Sequence, residues 1–350
     1  MRNEDRGMRR RRPALQSPIA VRSRGVIGVS YALMNMSESS RQRAGCPCIQ
    51  AVWLLFFVGF ASKPVLAQEL VPAAYTPAPV GVNLVTLSGG FSSGDLSFDP
   101  SLPVEDASAQ INGWSVSYGR TFGLLGRAAS VTVIAPYVAG EVEGVYIGEQ
   151  TYVERSGPGD AVVRLGVNLF GAPAMDLEAF RSYRPRTLVG ASLIVRAPTG
   201  EYDSSKAINI GTNRWGFKPE IGVVQRVGKW AFDAYVGGWY FTDNTDFLGG
   251  QTRTQDFIFS TQFHVRYSVK RKWWAAVDAN FWRGGQTAVD GVANDDLQSN
   301  SRVGFTLAWQ VAPRHGLRLA ASRGAFTRIG GDFYSVGLSY SYNWMKRKAN

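Results

Sequence analysis

From about residue 80 onward, apolar and polar residues alternate with a period of two over stretches of ten or more positions. Between 256 and 267, Phe257, Phe259, Thr261, Phe263, Val265 and Tyr267 share one face, and Asp256, Ser260, Gln262, His264 and Arg266 share the other. Residues 334–344 repeat the pattern, with Tyr334, Val336, Leu338, Tyr340, Tyr342 and Trp344 alternating with Ser335, Gly337, Ser339, Ser341 and Asn343. This period marks a strand with two unlike faces, because successive side chains point to opposite sides. No segment after Ala67 carries a convincing 3.6-residue period of an amphipathic helix.

The length of these runs narrows the fold class. Strands of soluble sandwiches average ~5–6 residues, whereas a tilted strand crossing a bilayer needs ~9–11. The pattern predicts strands near 80–92, 109–122, 128–141, 160–170, 186–197, 214–226, 230–241, 255–268, 272–282, 301–311, 316–325 and 332–344. Twelve is even, so both ends of the barrel chain fall on the periplasmic side. Short connections around Leu125-Gly126, Val227-Gly228-Lys229 and Lys270-Arg271 alternate with long ones at 93–108, 142–159, 198–213, 242–254 and 283–300. Short periplasmic turns and long external loops are the rule for outer-membrane barrels, and only 171–185 breaks it. The sequence thus predicts an all-β, antiparallel transmembrane β-barrel of about 12 strands over 80–344, facing outer-membrane lipids.

Aromatic residues fall near the strand ends on the outward face. Tyr137, Trp215, Tyr240, Phe257, Phe281 and Tyr334 form an external belt, and Phe122, Trp230, Tyr267, Trp273, Trp309 and Trp344 a periplasmic one. Rings with a polar edge prefer the lipid–water boundary. The last strand, ending on Trp344 before a tail at 345–350, has the form read by the outer-membrane assembly machinery.

Composition adds a leader. Residues 1–67 hold 11 Lys and Arg against 3 Asp and Glu, leaving 27 against 24 for the rest of the chain. The basicity therefore belongs to the leader, and nucleic-acid binding is not expected. Arg41 and Arg43 precede an 11-residue apolar core, Ala51–Ala61, and Val65-Leu66-Ala67 offers small residues before a cleavage site at Gln68. The core is too short to anchor in a bilayer. The stretch before Met36, with its Arg9–Arg12 run, reads as an over-extended gene start, an Arg-rich presequence being the other reading. Both cysteines, Cys46 and Cys48, lie in the leader, so the mature chain has no thiol chemistry. Residues 68–79 are expected to be a flexible periplasmic segment.

Local motifs now combine. They include Tyr75-x-Pro77-x-Pro79-x-Gly81-x-Asn83, Gly159-Asp160 with Arg164-Leu165-Gly166, Ala197-Pro198-x-Gly200-x-Tyr202 and Asn213-Arg214-Trp215-x-Phe217-x-Pro219-Glu220. Phe241-x-Asp243-Asn244-x-Asp246-Phe247, Gly284-Gly285-x-Thr287 with Gly291, and Asn300-Ser301-Arg302-x-Gly304 follow in order. Together they resemble the outer-membrane family named for the MetA pathway of phenol degradation. The resemblance implies a barrel transporting aromatic or other hydrophobic compounds, and it brings no catalytic residues.

No constellation carries covalent chemistry. A Ser–His hydrolase needs nucleophile and base within hydrogen-bond reach. His264 lacks a serine two positions on, and His315 lies in a predicted turn. Two distant histidines and no mature cysteine predict no metal site, and no cofactor is expected. The chain is not expected to be an enzyme.

The inward positions carry the candidate site. Lys218, Glu220, Arg226, Asp233, Asp256, His264, Arg266, Asp278, Arg302 and Arg318 are all predicted to face the lumen. They read equally as an interlocked ion-pair filling or as a polar path. If the turn centres on Lys270–Lys272, His264 falls opposite Asp278 and Gln262 opposite Asn280. Tyr235, Trp239, Phe241 and Trp282 are predicted as rings facing the lumen at the external mouth, against the polar-in rule. The function expected is passive passage of small, hydrophobic or aromatic solutes through the bacterial outer membrane. The alternatives are a structural surface barrel with a plugged lumen and an outer-membrane lipid hydrolase.

Overall fold

The computed structural model describes residues 70–97, 104–206, 208–270 and 272–345. The leader, both cysteines, the Gln68 cleavage site and the tail beyond Met345 lie outside the described residues.

The alternating runs become strands. They are β1 (Val82–Ser97), β2 (Val104–Leu124), β3 (Arg127–Tyr146), β4 (Glu149–Pro158), β5 (Val162–Phe170), β6 (Thr187–Arg196), β7 (Gly216–Val227) and β8 (Trp230–Phe241). The chain continues through β9 (Asn244–Phe247), β10 (Gln251–Gln255), β11 (Ile258–Lys270), β12 (Trp273–Gly284), β13 (Thr287–Val289) and β14 (Val292–Ala293). It ends in β15 (Gln298–Ala312), β16 (His315–Phe326) and β17 (Gly330–Met345). Hydrogen bonding runs β2-β1-β17-β16-β15-β12-β11-β8-β7-β6-β5-β3, and β2–β3 pairing closes the ring. The result is a closed, antiparallel barrel of 12 strands. Every barrel strand overlaps a segment whose period of two predicted it. Closure leaves no unpaired edge, the only way a sheet satisfies its backbone groups in lipid.

The long loops are more ordered than the sequence suggests. β3 runs past the barrel rim and pairs with β4 to make a projecting hairpin. The loops after β8 and β12 together form a second sheet of four strands, β14-β13-β10-β9. The long connection 171–185 contains α1 (Leu177–Ser182), capped by Asp176, whose Oδ1 accepts the Ala179 N–H at 2.9 Å. At the tight turn between β2 and β3, Leu125 and Gly126 both take positive φ, 49° and 75°, the pair a hairpin of this twist requires.

The outward face is apolar. Phe232, Phe263, Val277, Phe305 and Leu338 are all exposed along the barrel wall. The aromatic belts form contacts of their own, Trp230 with Tyr267 at 4.7 Å between ring centroids and Tyr240 with Phe257 at 4.6 Å. No helix among the described residues is long and apolar enough to cross a membrane.

Residues 70–79 are not a flexible periplasmic segment. They run from the periplasmic rim, where Val80 N–H donates to Met175 O at 2.8 Å, up into the lumen. The segment lacks periodicity because it is no strand; three of its backbone donors are satisfied by side chains of the barrel wall. Around it sits a small apolar cluster of Tyr75, Ala128, Ala172, Leu188, Val224, Ala231 and Tyr235.

Candidate functional site: the lumen and its external mouth

One wall of the lumen carries paired charges. On β7, Lys218 Nζ lies 2.9 Å from Glu220 Oε2. Across β8, β11 and β12, Asp233, His264 and Asp278 occupy one row. Arg266 lies one step below that row and donates from Nε and Nη2 to Asp233 at 3.0 and 2.9 Å. His264 faces Asp278 as the register predicted, with Nδ1 2.7 Å from Oδ1, and Gln262 pairs with Asn280. Thr306 Oγ donates to the other Asp278 oxygen at 2.6 Å. Lys218, Glu220, Asp233, His264, Arg266 and Asp278 are all buried, so each charge needs its partner.

The other predicted lumen charges separate. Arg302 is buried on β15, donating from Nη1 to Ser335 at 3.0 Å while Nε and Nη2 have no hydrogen-bond partner among the described residues. Arg226 is half-buried at the periplasmic end of β7, and Arg318 is half-buried on β16 beside Trp274, 5.8 Å from its ring centroid. Asp256 is not a lumen residue. It is exposed and precedes β11, its N–H donating to Gln286 O at 2.9 Å in the outer loops. The alternation that assigned it inward ends with the strand at Ile258.

The segment 70–79 docks onto the charged wall. Val71 N–H donates to Gln262 Oε1 at 3.1 Å, Ala73 N–H to Asp233 Oδ2 at 3.0 Å and Ala74 N–H to Tyr235 Oη at 3.2 Å. Tyr75 is the anchor. Its Oη lies 3.0 Å from Glu220 Oε1 and 3.1 Å from Ser192 Oγ, and the Arg164 guanidinium sits 5.0 Å from its ring. The paired glycines Gly190 and Gly222 make the notch for that ring, since a Cβ on either would overlap it.

Opposite, the wall is built from small residues. Thr86, Ser88 and Gly90 of β1 pair with Ser341, Ser339 and Gly337 of β17 along a cavity of about 1710 Å³. Leu70, Val71 and Ala74 of the docked segment line its other side.

The four predicted vestibule rings do not stay together. Trp239 and Phe241 stack at 6.1 Å with 9° between their planes, and Trp282 is buried nearby, its Nε1–H donating to Gln298 at 3.0 Å. All three line a cavity of about 230 Å³ at the mouth. Tyr235 is elsewhere. It packs edge-on against Tyr75 at 5.1 Å and donates to Asp233 at 2.8 Å. It lies six positions before the end of β8, about 20 Å along the tilted strand at ~3.3 Å per residue. Facing was readable from parity, whereas depth was not.

Some lumen residues escaped the sequence reading. Arg196 has the inward parity of β6 and lies within the strand expected at 186–197, yet it was not named among the lumen charges. Trp274 was masked by its outward neighbour Trp273, and it lies 5.7 Å from Arg266. Tyr75 had no periodic signal at all. Among the described residues no group of three or more His, Cys, Asp and Glu is placed to hold a metal ion.

Comparison with known proteins now places the chain. The model of the family named for the MetA-pathway of phenol degradation matches residues 86–342. The chain belongs to this family. The crystal structure of an outer membrane channel from Pseudomonas putida F1 matches this family member with a TM-score of 0.67 and 23% identity, over 79% of this chain and 100% of that one. The transport unit of the autotransporter AIDA-I from Escherichia coli covers 79% of this chain and 93% of that one, with 11% identity and a TM-score of 0.47. The CymD monoaromatic hydrocarbon channel covers 77% and 90%, with 9% identity and a TM-score of 0.40. No curated protein matches in sequence. Family and fold together make the chain a barrel of the bacterial outer membrane.

Proposed function

We propose that the barrel is a passive, energy-independent channel for small hydrophobic or aromatic solutes. The observation that carries this reading is the cavity of about 1710 Å³ left open along the small-residue wall beside the docked segment. Membership of a family named for phenol degradation supports the solute class. The mouth supports it too, since Trp239, Phe241 and Trp282 offer faces on which a ring gains ~0.5–1.5 kcal/mol beyond burial. Assembly of the barrel would begin from β17, whose closing aromatic Trp344 is the feature the assembly machinery reads.

A structural barrel with a plugged lumen is the second reading, and the clamped Tyr75 favours it. The two separate in planar bilayers. The refolded protein is expected to give steady conductance and to pass small aromatic alcohols in liposome swelling. Electrical silence together with no swelling would leave the structural reading. A lipid hydrolase has less support, because His264 Nε2 has no hydrogen-bond partner among the described residues and so no hydroxyl to activate. Acyl-ester hydrolysis by the purified protein would restore that reading.

A further inference from the structure

We infer that the external mouth is a binding site for single-ring aromatic anions, arylcarboxylates above all; this deepens the channel reading and rests on it. The cavity of about 230 Å³ is walled by Arg196, Arg214 and Lys218, by three aromatic rings and by neutral polar groups. No carboxylate lines it. With Lys218 matched by Glu220, the guanidinium groups of Arg196 and Arg214 leave a net positive charge for a ligand to meet.

The geometry of the arginines selects the ligand's shape. The Arg196 guanidinium lies 4.8 Å from the Trp239 ring centroid, and that of Arg214 lies 4.6 Å from Phe241. Since Trp239 and Phe241 are themselves nearly parallel, the two guanidinium–ring contacts stand side by side. Stacking occupies a guanidinium's face and leaves its N–H edge free for a planar acceptor. Arg214 uses Nη2 on Gln255, while its Nε and Nη1 are buried with no hydrogen-bond partner among the described residues. Unsatisfied buried donors are costly, and a carboxylate oxygen matches one of them at a time, since Nε and Nη1 lie on different edges of the guanidinium.

The nearby acids are already engaged or distant from the cavity wall. Asp160 accepts from Gly200 N, Thr212 N and Thr212 Oγ, and Glu220 holds Lys218. Asp160 and Asp243 still favour the charged form of Arg214, yet burial and then the like charges of Arg253 and Arg196 prevail, bringing its pKa down to about 10. At neutral pH Arg214 stays a cation crowded by other cations, and an entering anion relieves that repulsion. The cavity is smaller than the ~300–1,000 Å³ of drug-sized pockets, which points to one ring rather than a fused system.

The test is calorimetric titration of the refolded full barrel with benzoate and with benzyl alcohol, a neutral partner of similar shape. Benzoate is expected to bind about tenfold tighter or more, the usual gain from a charge-assisted hydrogen bond. In Arg196→Gln/Arg214→Gln the ratio should collapse towards one, with heat-modifiable migration on gels checking that the barrel is folded. Arg214→Lys, which keeps the charge but not the planar stack on Phe241, should retain part of the preference. Equal affinities in the unmodified protein, which need no variant, would overturn the inference. So would a preference that survives in the folded double variant. Liposome swelling keeps the two readings apart. Benzyl alcohol flux without any benzoate preference sinks only the anion site, whereas benzoate preference without flux of any solute sinks only the channel.

Discussion

Strands β6 to β12 turn Lys218, Glu220, Asp233, His264, Arg266 and Asp278 into the lumen, all buried and paired. Strands β1, β2, β16 and β17 turn in Ser88, Ser115, Ala320, Ser322, Gly337 and Ser339 instead. The exteriors of the two walls are alike, with Phe263 on one and Leu338 on the other both open to lipid. What differs is the interior. Charges on one wall are matched to one another and to the backbone of residues 70–79, so the segment docks there and narrows that side. The serine and glycine row of the other wall offers the segment no side-chain partner, Arg318 of β16 turning to Trp274 instead, and the cavity runs along that row. A solute path is thus defined by where partners are absent, as much as by where they are present.

The largest expected effect would break the comparison at Asp233, which accepts from Arg266, Tyr235 and the Ala73 N–H at once. Asp233→Ala strands a buried guanidinium, a loss of ~3–5 kcal/mol. Urea unfolding of the refolded barrel should show a large drop in midpoint, and a midpoint unchanged from the parent would mean the wall is not a network.

Next come substitutions on the shared exterior. Phe263→Arg and Leu338→Arg should each cost ~2–4 kcal/mol, because a lipid-facing charge is penalised whichever wall bears it. Comparable losses in barrel yield are expected, and a clear difference would show that the walls differ outside as well. The structure also changes one expectation of the sequence. Gln262→Arg reads from alternation as a tolerated lumen change, yet Gln262 is buried, bonded to Val71 N and Glu220. It should instead release the docked segment.

A smaller effect belongs to the anchor. Tyr75→Ala removes a buried ring whose edge-on contact with Tyr235 alone is worth ~0.5–1.5 kcal/mol beyond its burial. Its main readout is conductance, expected to rise and fluctuate as the segment leaves Gly190 and Gly222. Conductance identical to the parent would show that the segment does not limit the path.

The smallest effect lies on the open wall. Ser339→Ala should stay within ~0.5 kcal/mol in unfolding, because Ser339 packs against a void. Ser339→Trp should leave stability close to that value while lowering conductance. If it lowers neither, the cavity on this wall is not the path.

Much of this was legible before folding. Period two fixed the strands and which face met lipid, since side-chain direction along a strand is a local property. It also placed His264 across from Asp278, because a tight turn sets the register of its two strands. Trp239, Phe241 and Trp282 were found because apolar rings broke the polar-in rule. The same parity misplaced Asp256, which lies beyond the strand end, and gave Tyr235 the right face at the wrong depth.

The sequence by itself determined a twelve-stranded outer-membrane barrel, its strand facing and the chemistry of its inner positions. Those follow from neighbours two residues apart or across a short turn. Only the tertiary structure decided where residues 70–79 go and which side of the lumen stays open. The segment has no period to read, and its backbone finds partners 191, 160 and 161 residues away, at Gln262, Asp233 and Tyr235. Closure of the ring sets those distances in space, and no local pattern along the chain encodes them.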